Sequence, residues 1–192
     1  MTELWGIVKL GDVCHFENGD RGKNYPGRKA FVDQGVPFIN AGHLTIDGLD
    51  MVAMNFIPRD RFELLSNGKI RDGDILFCLR GSLGKFAVID GLKEGAIASS
   101  LVIVRPKEMI NRYFLAAYFD SHICQNMISK FENGAAQPNL SAKSLSNFEI
   151  PLPPLPEQKR IVAILDEAFA GISLSLLQYE MSLKRVPYSN IE

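Results

Sequence analysis

The sequence predicts an α+β fold: a domain of short strands and helices, then one long C-terminal helix. Three observations point to it. Short runs rich in Val, Ile and Phe recur through the first 150 residues, each bounded by Gly, Asp, Asn or Pro, as short strands are. One longer stretch repeats its apolar residues at helical spacing. The proline cluster PLPPLPEQKR (Pro151–Arg160) then closes this region, and past it glycine disappears apart from Gly171. A domain is therefore expected over residues 1–152 and a proline-led helix over 153–192.

The strand candidates are Val36–Asn40, Ile75–Arg80, Phe86–Asp90 and Leu101–Arg105. Loops run between them. The loop Glu17–Lys29 (ENGDRGKNYPGRK) sets Arg21, Lys23, Arg28 and Lys29 against Glu17 and Asp20. From Asn111 to Phe131 one helix is expected, because Phe114, Leu115, Tyr118, Phe119, Ile123, Met127 and Ile128 recur at three- and four-residue steps. The loop ENGAAQPNLS (Glu132–Ser141) follows, with Ser141 placed to cap a short helix after it.

Proline fixes φ and lacks a donor, so the cluster cannot be a helix interior or a central strand. Pro156 suits the first helical position, and Glu157 the positive end of the helix dipole. Ile161, Leu165, Ala168, Ile172, Leu176, Tyr179, Leu183 and Val186 then follow at three- and four-residue steps, until Pro187 stops the pattern. Some thirty residues make a rod of roughly 45 Å, longer than the usual helix of about 11–12 residues. Such a helix either folds back on its own domain or pairs its stripe with a helix of another chain or domain. The stripe is not a regular heptad, which favours an irregular antiparallel pairing over a long two-stranded coiled coil. Ser173, Ser175 and Ser182 lie near that seam.

Bulk composition narrows the class. The chain has 192 residues, 46% of them hydrophobic, and a net charge of −1. No global basic field announces nucleic acid, although local patches decide binding. Cys14, Cys78 and Cys124 are odd in number and far apart, which fits free thiols in a reducing, cytoplasmic setting. His15, His43 and His122 sit at no metal-ligand spacing, so no metal or cofactor is expected. The start, MTELWGIVKLGD, lacks a basic region before a long apolar run, and no signal peptide is expected. No apolar stretch reaches about 18 residues, so no membrane span is expected either.

The segment RGSLGK (Arg80–Lys85) resembles the end of a phosphate loop but fails that pattern at both ends. Leu79 stands where the first glycine is required, and Phe86 where Ser or Thr must follow the lysine. A tight glycine hairpin between two strands is the expected structure. No dinucleotide fingerprint is present. "EQK" at Glu157–Lys159 lacks the preceding paired acid of a nuclease strand. The chain reads as a binding module, not an enzyme.

A resemblance gives that module a class. PLPPLPEQKRIVAILDEAF (Pro151–Phe169) resembles the segment that closes a target-recognition domain in type I restriction–modification specificity subunits. WGIVKLGDVC, GVPFINAGHLT, GDILFCLRGSLGK, AIASSLVIVRP and GAAQPNLSAKSL are similar to further family segments, in the same order. The resemblance implies a mixed target-recognition domain that binds double-stranded DNA without chemistry of its own. It implies two such domains in a full subunit, joined by long antiparallel helices. Those helices set the spacing and dock adenine methyltransferase (modification) subunits, which a restriction translocase subunit can join. The present chain holds one domain and one helix, about half the family's expected length, as a natural half-subunit or a shortened product would. A homodimer through the helices would restore two domains and imply a symmetric target. The alternative is an assembly or decoy protein that binds methyltransferase subunits through its helix without reading DNA.

A DNA reader needs cations for phosphates and amide or guanidinium groups for base edges. Arg21, Lys23, Arg28 and Lys29 form the most basic run, which a plain solvated charge cluster would also explain. Arg80, Ser82 and Lys85 decorate the glycine turn. Asn133, Gln137 and Asn139 offer amides suited to adenine, in a loop that also serves as turn and cap. Asn40 and His43 follow an apolar strand. The expected helix-pairing residues are Ile161, Leu165, Ala168, Ile172, Leu176, Tyr179 and Leu183.

Overall fold

The computed structural model of the chain describes residues 5–132 and 139–184, with 132 and 173–184 as backbone. In chain order the elements are β1 (Gly6–Lys9), α1 (Leu10–Val13), β2 (Cys14–Asn18), β3 (Val36–Ile39), β4 (Leu44–Thr45), β5 (Gly48–Leu49), β6 (Asn55–Ile57), α2 (Arg59–Glu63), β7 (Ile75–Cys78), β8 (Phe86–Val88), β9 (Ala96–Ile97), β10 (Leu101–Pro106), α3 (Arg112–Asp120), α4 (His122–Glu132), α5 (Ala142–Ser146), β11 (Glu149–Leu152) and α6 (Leu155–Lys184). The fold is α+β, with short strands and a long C-terminal helix.

Strands β2, β10, β7 and β8 form one antiparallel sheet in that order. Every residue of β7 is buried, and so are the first four of β10. That is why both read as continuous apolar runs: each is covered on both faces. On one face Ile75, Phe77, Val102 and Val104 pack with Phe114, Leu115 and Phe119 of α3. The Phe77 and Phe119 rings lie 5.0 Å apart. On the other face Leu76, Cys78, Leu101 and Ile103 pack with Ile39, Leu44 and Ile97. The covering layer there includes the β6–β3–β9 sheet.

Two expectations are corrected. The helix expected over Asn111–Phe131 is two helices. Ser121 is extended (φ −66°, ψ 149°); its Oγ donates to Tyr118 O at 2.6 Å and accepts the Cys124 N–H at 3.4 Å. One serine thus stops α3 and starts α4, which the continuous apolar spacing conceals. The connection between β7 and β8 is not a two-residue hairpin but seven residues, 79–85. Gly84 has φ +80°, and a Cβ there would meet Ile128 Cδ1 at 3.0 Å. Glycine supplies both the left-handed backbone and the room for this loop to lie on α4.

The proline cluster contributes a strand. Ile7 pairs with Pro151 in the two-stranded β1–β11 sheet, where the proline's missing donor faces no neighbour strand. Past it, Gln158 is fully buried at the root of α6. Its Oε1 accepts the Asn111 N–H at 2.7 Å, and its Nε2 donates to Met109 O at 3.0 Å and Pro153 O at 2.8 Å. A Gln158→Ala substitution strands all three backbone groups. It is expected to lower unfolding free energy by about 2 kcal/mol in denaturant titration.

Ile161 and Val162 pack against the domain core. On the same helix face Phe169 is 63% and Ile172 55% exposed. The stripe that seats α6 on its domain therefore continues uncovered beyond it, and these side chains do not fold back.

Candidate nucleic-acid interface

The sheet has two ends, and the polar loops gather at one. β2 finishes at Asn18, β7 at Cys78, and β10 begins at Leu101; the register Val102–Asn18 and Leu101–Cys78 brings these termini together. The segment just before β10 ties the loops to one another. Ala98 N–H donates to Ile39 O at 2.7 Å, and Leu79 N–H to Ser100 O at 2.8 Å. Arg21 Nη2 donates to Ser99 O at 3.1 Å. Residues 139–140 join the same cluster: Leu140 N–H donates to Leu79 O at 3.0 Å, and Arg80 Nε donates to Asn139 Oδ1 at 3.1 Å.

The basic loop after β2 is held at several points. Asp20 is buried; its Oδ1 accepts the Gly22 N–H at 2.6 Å and its Oδ2 the Ser66 N–H at 2.8 Å. Asn24 Nδ2 donates to Leu64 O at 2.9 Å. Tyr25 and Phe31 stack around Phe38 at 5.7 and 5.8 Å. Lys23, Arg28 and Lys29 stay exposed, without a side-chain partner among the described residues. The loop so anchored carries these three exposed cations.

The two amide donors hold the Asp20 carboxyl below the usual carboxylate range. A folded-state value below the unfolded one adds stability above the unfolded pKa, about 4. That contribution is lost as pH falls through the folded value. Acid titration of unfolding free energy should show this loss below about pH 4. Asp20→Asn should be less stable at neutral pH and flatter across that window.

The other expected site residues divide into two groups. Arg80, Ser82 and Lys85 are exposed. The terminal guanidinium nitrogens of Arg80, the hydroxyl of Ser82 and the ammonium of Lys85 have no partner among the described residues. Asn40 and His43 are engaged internally. Asn40 Oδ1 accepts the Gly42 N–H at 2.8 Å. His43 is buried; its Nδ1 accepts the Asn40 N–H at 3.2 Å and its Nε2 lies 3.4 Å from Asn55 Nδ2. Burial lowers the His43 pKa, so the ring is neutral at pH 7. Asn133 and Gln137 lie outside the described residues, as do the side chains of Leu176, Tyr179 and Leu183. Ser141 caps α5 by accepting the Ser144 N–H at 2.9 Å.

A charged clamp at the opposite end of the sheet had no sequence signal of its own. Arg105 Nε and Nη2 donate to the two oxygens of buried Asp74 at 2.7 and 2.8 Å. Arg105 Nη1 reaches Glu17 Oε2 at 3.3 Å, and Glu17 Oε1 accepts the Gly68 N–H at 2.7 Å. The clamp fastens the 68–74 loop to β2 and β10. Asp20, Gln158 and the Ala98–Ser100 segment were also missed as organisers, because each holds at least one partner 46 or more positions away.

With this geometry in place, comparison with known proteins is decisive. The model of the type I restriction modification DNA specificity domain matches residues 2–178. The chain belongs to this family. The EcoKI specificity subunit of Escherichia coli K12 is 26% identical over 184 residues, covering 94% of this chain and 39% of that protein. The specificity domain also superimposes on the HsdS subunit from Thermoanaerobacter tengcongensis, with a TM-score of 0.67 and 26% identity over 91% of this chain and 39% of that one. A chain from a structure of the type I R-M system gives a TM-score of 0.70 at 25% identity, over 97% of this chain and 44% of that one. The specificity domain thus spans about two fifths of the length of these relatives. A DNA specificity domain is a recognition module.

Proposed function

We propose that this chain reads one half-site of a double-stranded DNA target on behalf of a cytoplasmic type I restriction–modification complex. The observation that carries the reading is the convergence of the 19–31, 79–85 and 139–141 segments at one end of the sheet, with Lys23, Arg28, Lys29 and Lys85 exposed and without a side-chain partner among the described residues. Lys23, Arg28, Lys29 and Lys85 supply phosphate contacts, which fix register without reading sequence. Arg80 and Asn139 supply base-edge groups, with Ser82 beside them and Arg21 tying the loop to Ser99. Asn133 and Gln137 are assigned further base-edge contacts. Asn40 and His43 support the site from beneath. A few such contacts suit a half-site of three or four base pairs.

In this reading residues 1–152 are assigned to target reading and residues 153–192 to pairing. The reading end lies across the sheet from Gln158 and the root of α6. Two copies pairing through Leu165, Ala168, Phe169 and Ile172 would carry two reading ends and match a symmetric target. Ile161 seats the helix on its own domain, and Leu176, Tyr179 and Leu183 continue the stripe. The paired helices would dock adenine methyltransferase subunits, and a restriction translocase subunit would join that assembly.

Selection of bound duplexes from a random library tests the reading. A short enriched motif supports it, while retention without any motif favours a non-reading assembly protein. Sedimentation equilibrium tests the pairing. A dimer that the double variant Phe169→Glu, Ile172→Glu converts to monomer supports it, and a strict monomer at high concentration sinks it.

A further inference from the structure

Strand β8 is an edge. It pairs with β7 on one side only. The alternation of this ladder is set at both ends. Cys78 N–H donates to Lys85 O at 2.8 Å, and Ile89 N–H donates to Asp74 O at 2.7 Å. In an antiparallel pair the residues between alternate, so the N–H and C=O groups of Phe86 and Val88 point away from β7. They meet no partner among the described residues. Free rungs of this kind are a template for another strand, and folded proteins normally cover or blunt them.

Here the edge lies at the bottom of a groove of about 560 Å³. One wall is the turn between β4 and β5, with Ile46 and Asp47 at its tip; the other is α3, with Tyr113 and Asp120. Ile46 is 96% exposed, an apolar side chain left standing at the mouth. The charged lining is Lys85 against Asp47, Asp90 and Asp120. Asp90 accepts hydrogen bonds from Arg112 Nη2 at 3.1 Å and Tyr113 Oη at 2.9 Å. Asp47 and Asp120 have no hydrogen-bond or ion-pair partner among the described residues.

We propose that this groove is a strand-addition site for an extended, cationic segment of a protein partner. The segment would pair its backbone with Phe86 and Val88, as in other edge-strand recognition. Alternate side chains of such a strand face opposite walls, so a basic residue on one face would meet Asp47 beside Ile46, and a basic residue on the other face would meet Asp120. The excess of carboxylates disfavours nucleic acid at this surface, although Lys85 borders it. The site borders the 79–85 segment at Lys85, but its free edge and its carboxylates are not reading residues, and it does not rest on their role.

The test uses the full chain and a blocked six-residue peptide with lysine at positions 1 and 4 and valine elsewhere, so that each face carries one lysine, followed by amide chemical shifts. The expected result is saturable shifts at Phe86 and Val88. Binding should weaken roughly fivefold in Asp47→Asn and again in Asp120→Asn. It should vanish for the same peptide with alternate backbone nitrogens methylated. Equal binding of the methylated peptide or of a glutamate–valine peptide overturns the proposal. So do shifts confined to other residues, no binding at millimolar peptide, or occupation of the Phe86 and Val88 amides by duplex DNA alone.

Discussion

Replacing Arg80 with alanine should cost the protein about 10- to 100-fold in preference for its target over a duplex altered at one base pair. A bidentate guanidinium contact to a base edge contributes about 1–3 kcal/mol of discrimination, and alanine offers none. The side chain is exposed and is oriented by Asn139, whose Oδ1 accepts from Nε at 3.1 Å. That bond leaves the terminal nitrogens available. Unfolding free energy should stay within about 0.5 kcal/mol of wild type, as for most surface substitutions. Asn139→Ala should produce a smaller loss, because Arg80 remains but is less oriented. Lys85→Ala serves as the contrast: a phosphate contact should weaken all duplexes alike and reduce the salt slope by about 1. Competitive binding with matched and mismatched duplexes at two salt concentrations separates these outcomes. Unchanged discrimination in Arg80→Ala would leave the loop with a purely structural role.

Replacing Asp74 with alanine should instead strike stability, by about 3–5 kcal/mol. Asp74 is 1% exposed and holds Arg105 through two short hydrogen bonds. Its Oδ2 also accepts the Arg71 N–H at 2.7 Å. Alanine leaves a guanidinium at the edge of the core with only Glu17, at 3.3 Å, as its acidic partner. Domains of this size carry about 5–15 kcal/mol in total, so the variant should be marginal near body temperature. Denaturant unfolding measures the loss. The folded fraction should retain its target preference, since the clamp lies at the far end of the sheet from Arg80. A loss below about 1 kcal/mol would show the pair to be nearly neutral.

What the sequence disclosed and what it hid follow from distance along the chain. The buried strands β7 and β10 were legible because a strand covered on both faces must be apolar throughout. The long helix was legible because its stripe keeps helical period on both sides of Phe169. Ser121 was not, since its apolar neighbours continue the helical rhythm and only its own hydroxyl breaks it. The β1–β11 pair was hidden because Pro151 argues against a strand unless the partner is known to lie on one side only. Among site residues, exposed cations could be named from the sequence. The internal engagement of Asn40 and His43 could not, because it depends on Asn55 and on a backbone turn. The bond between Arg80 and Asn139 spans 59 positions, beyond the reach of any local pattern.

Mapping methylated adenines in DNA treated with this chain and an adenine methyltransferase subunit tests the central claim most directly. The account predicts modification confined to one short, symmetric, interrupted sequence, lost or relaxed in Arg80→Ala. Methylation spread without site preference, or a site unchanged by Arg80→Ala together with removal of the basic-loop charges, would contradict it.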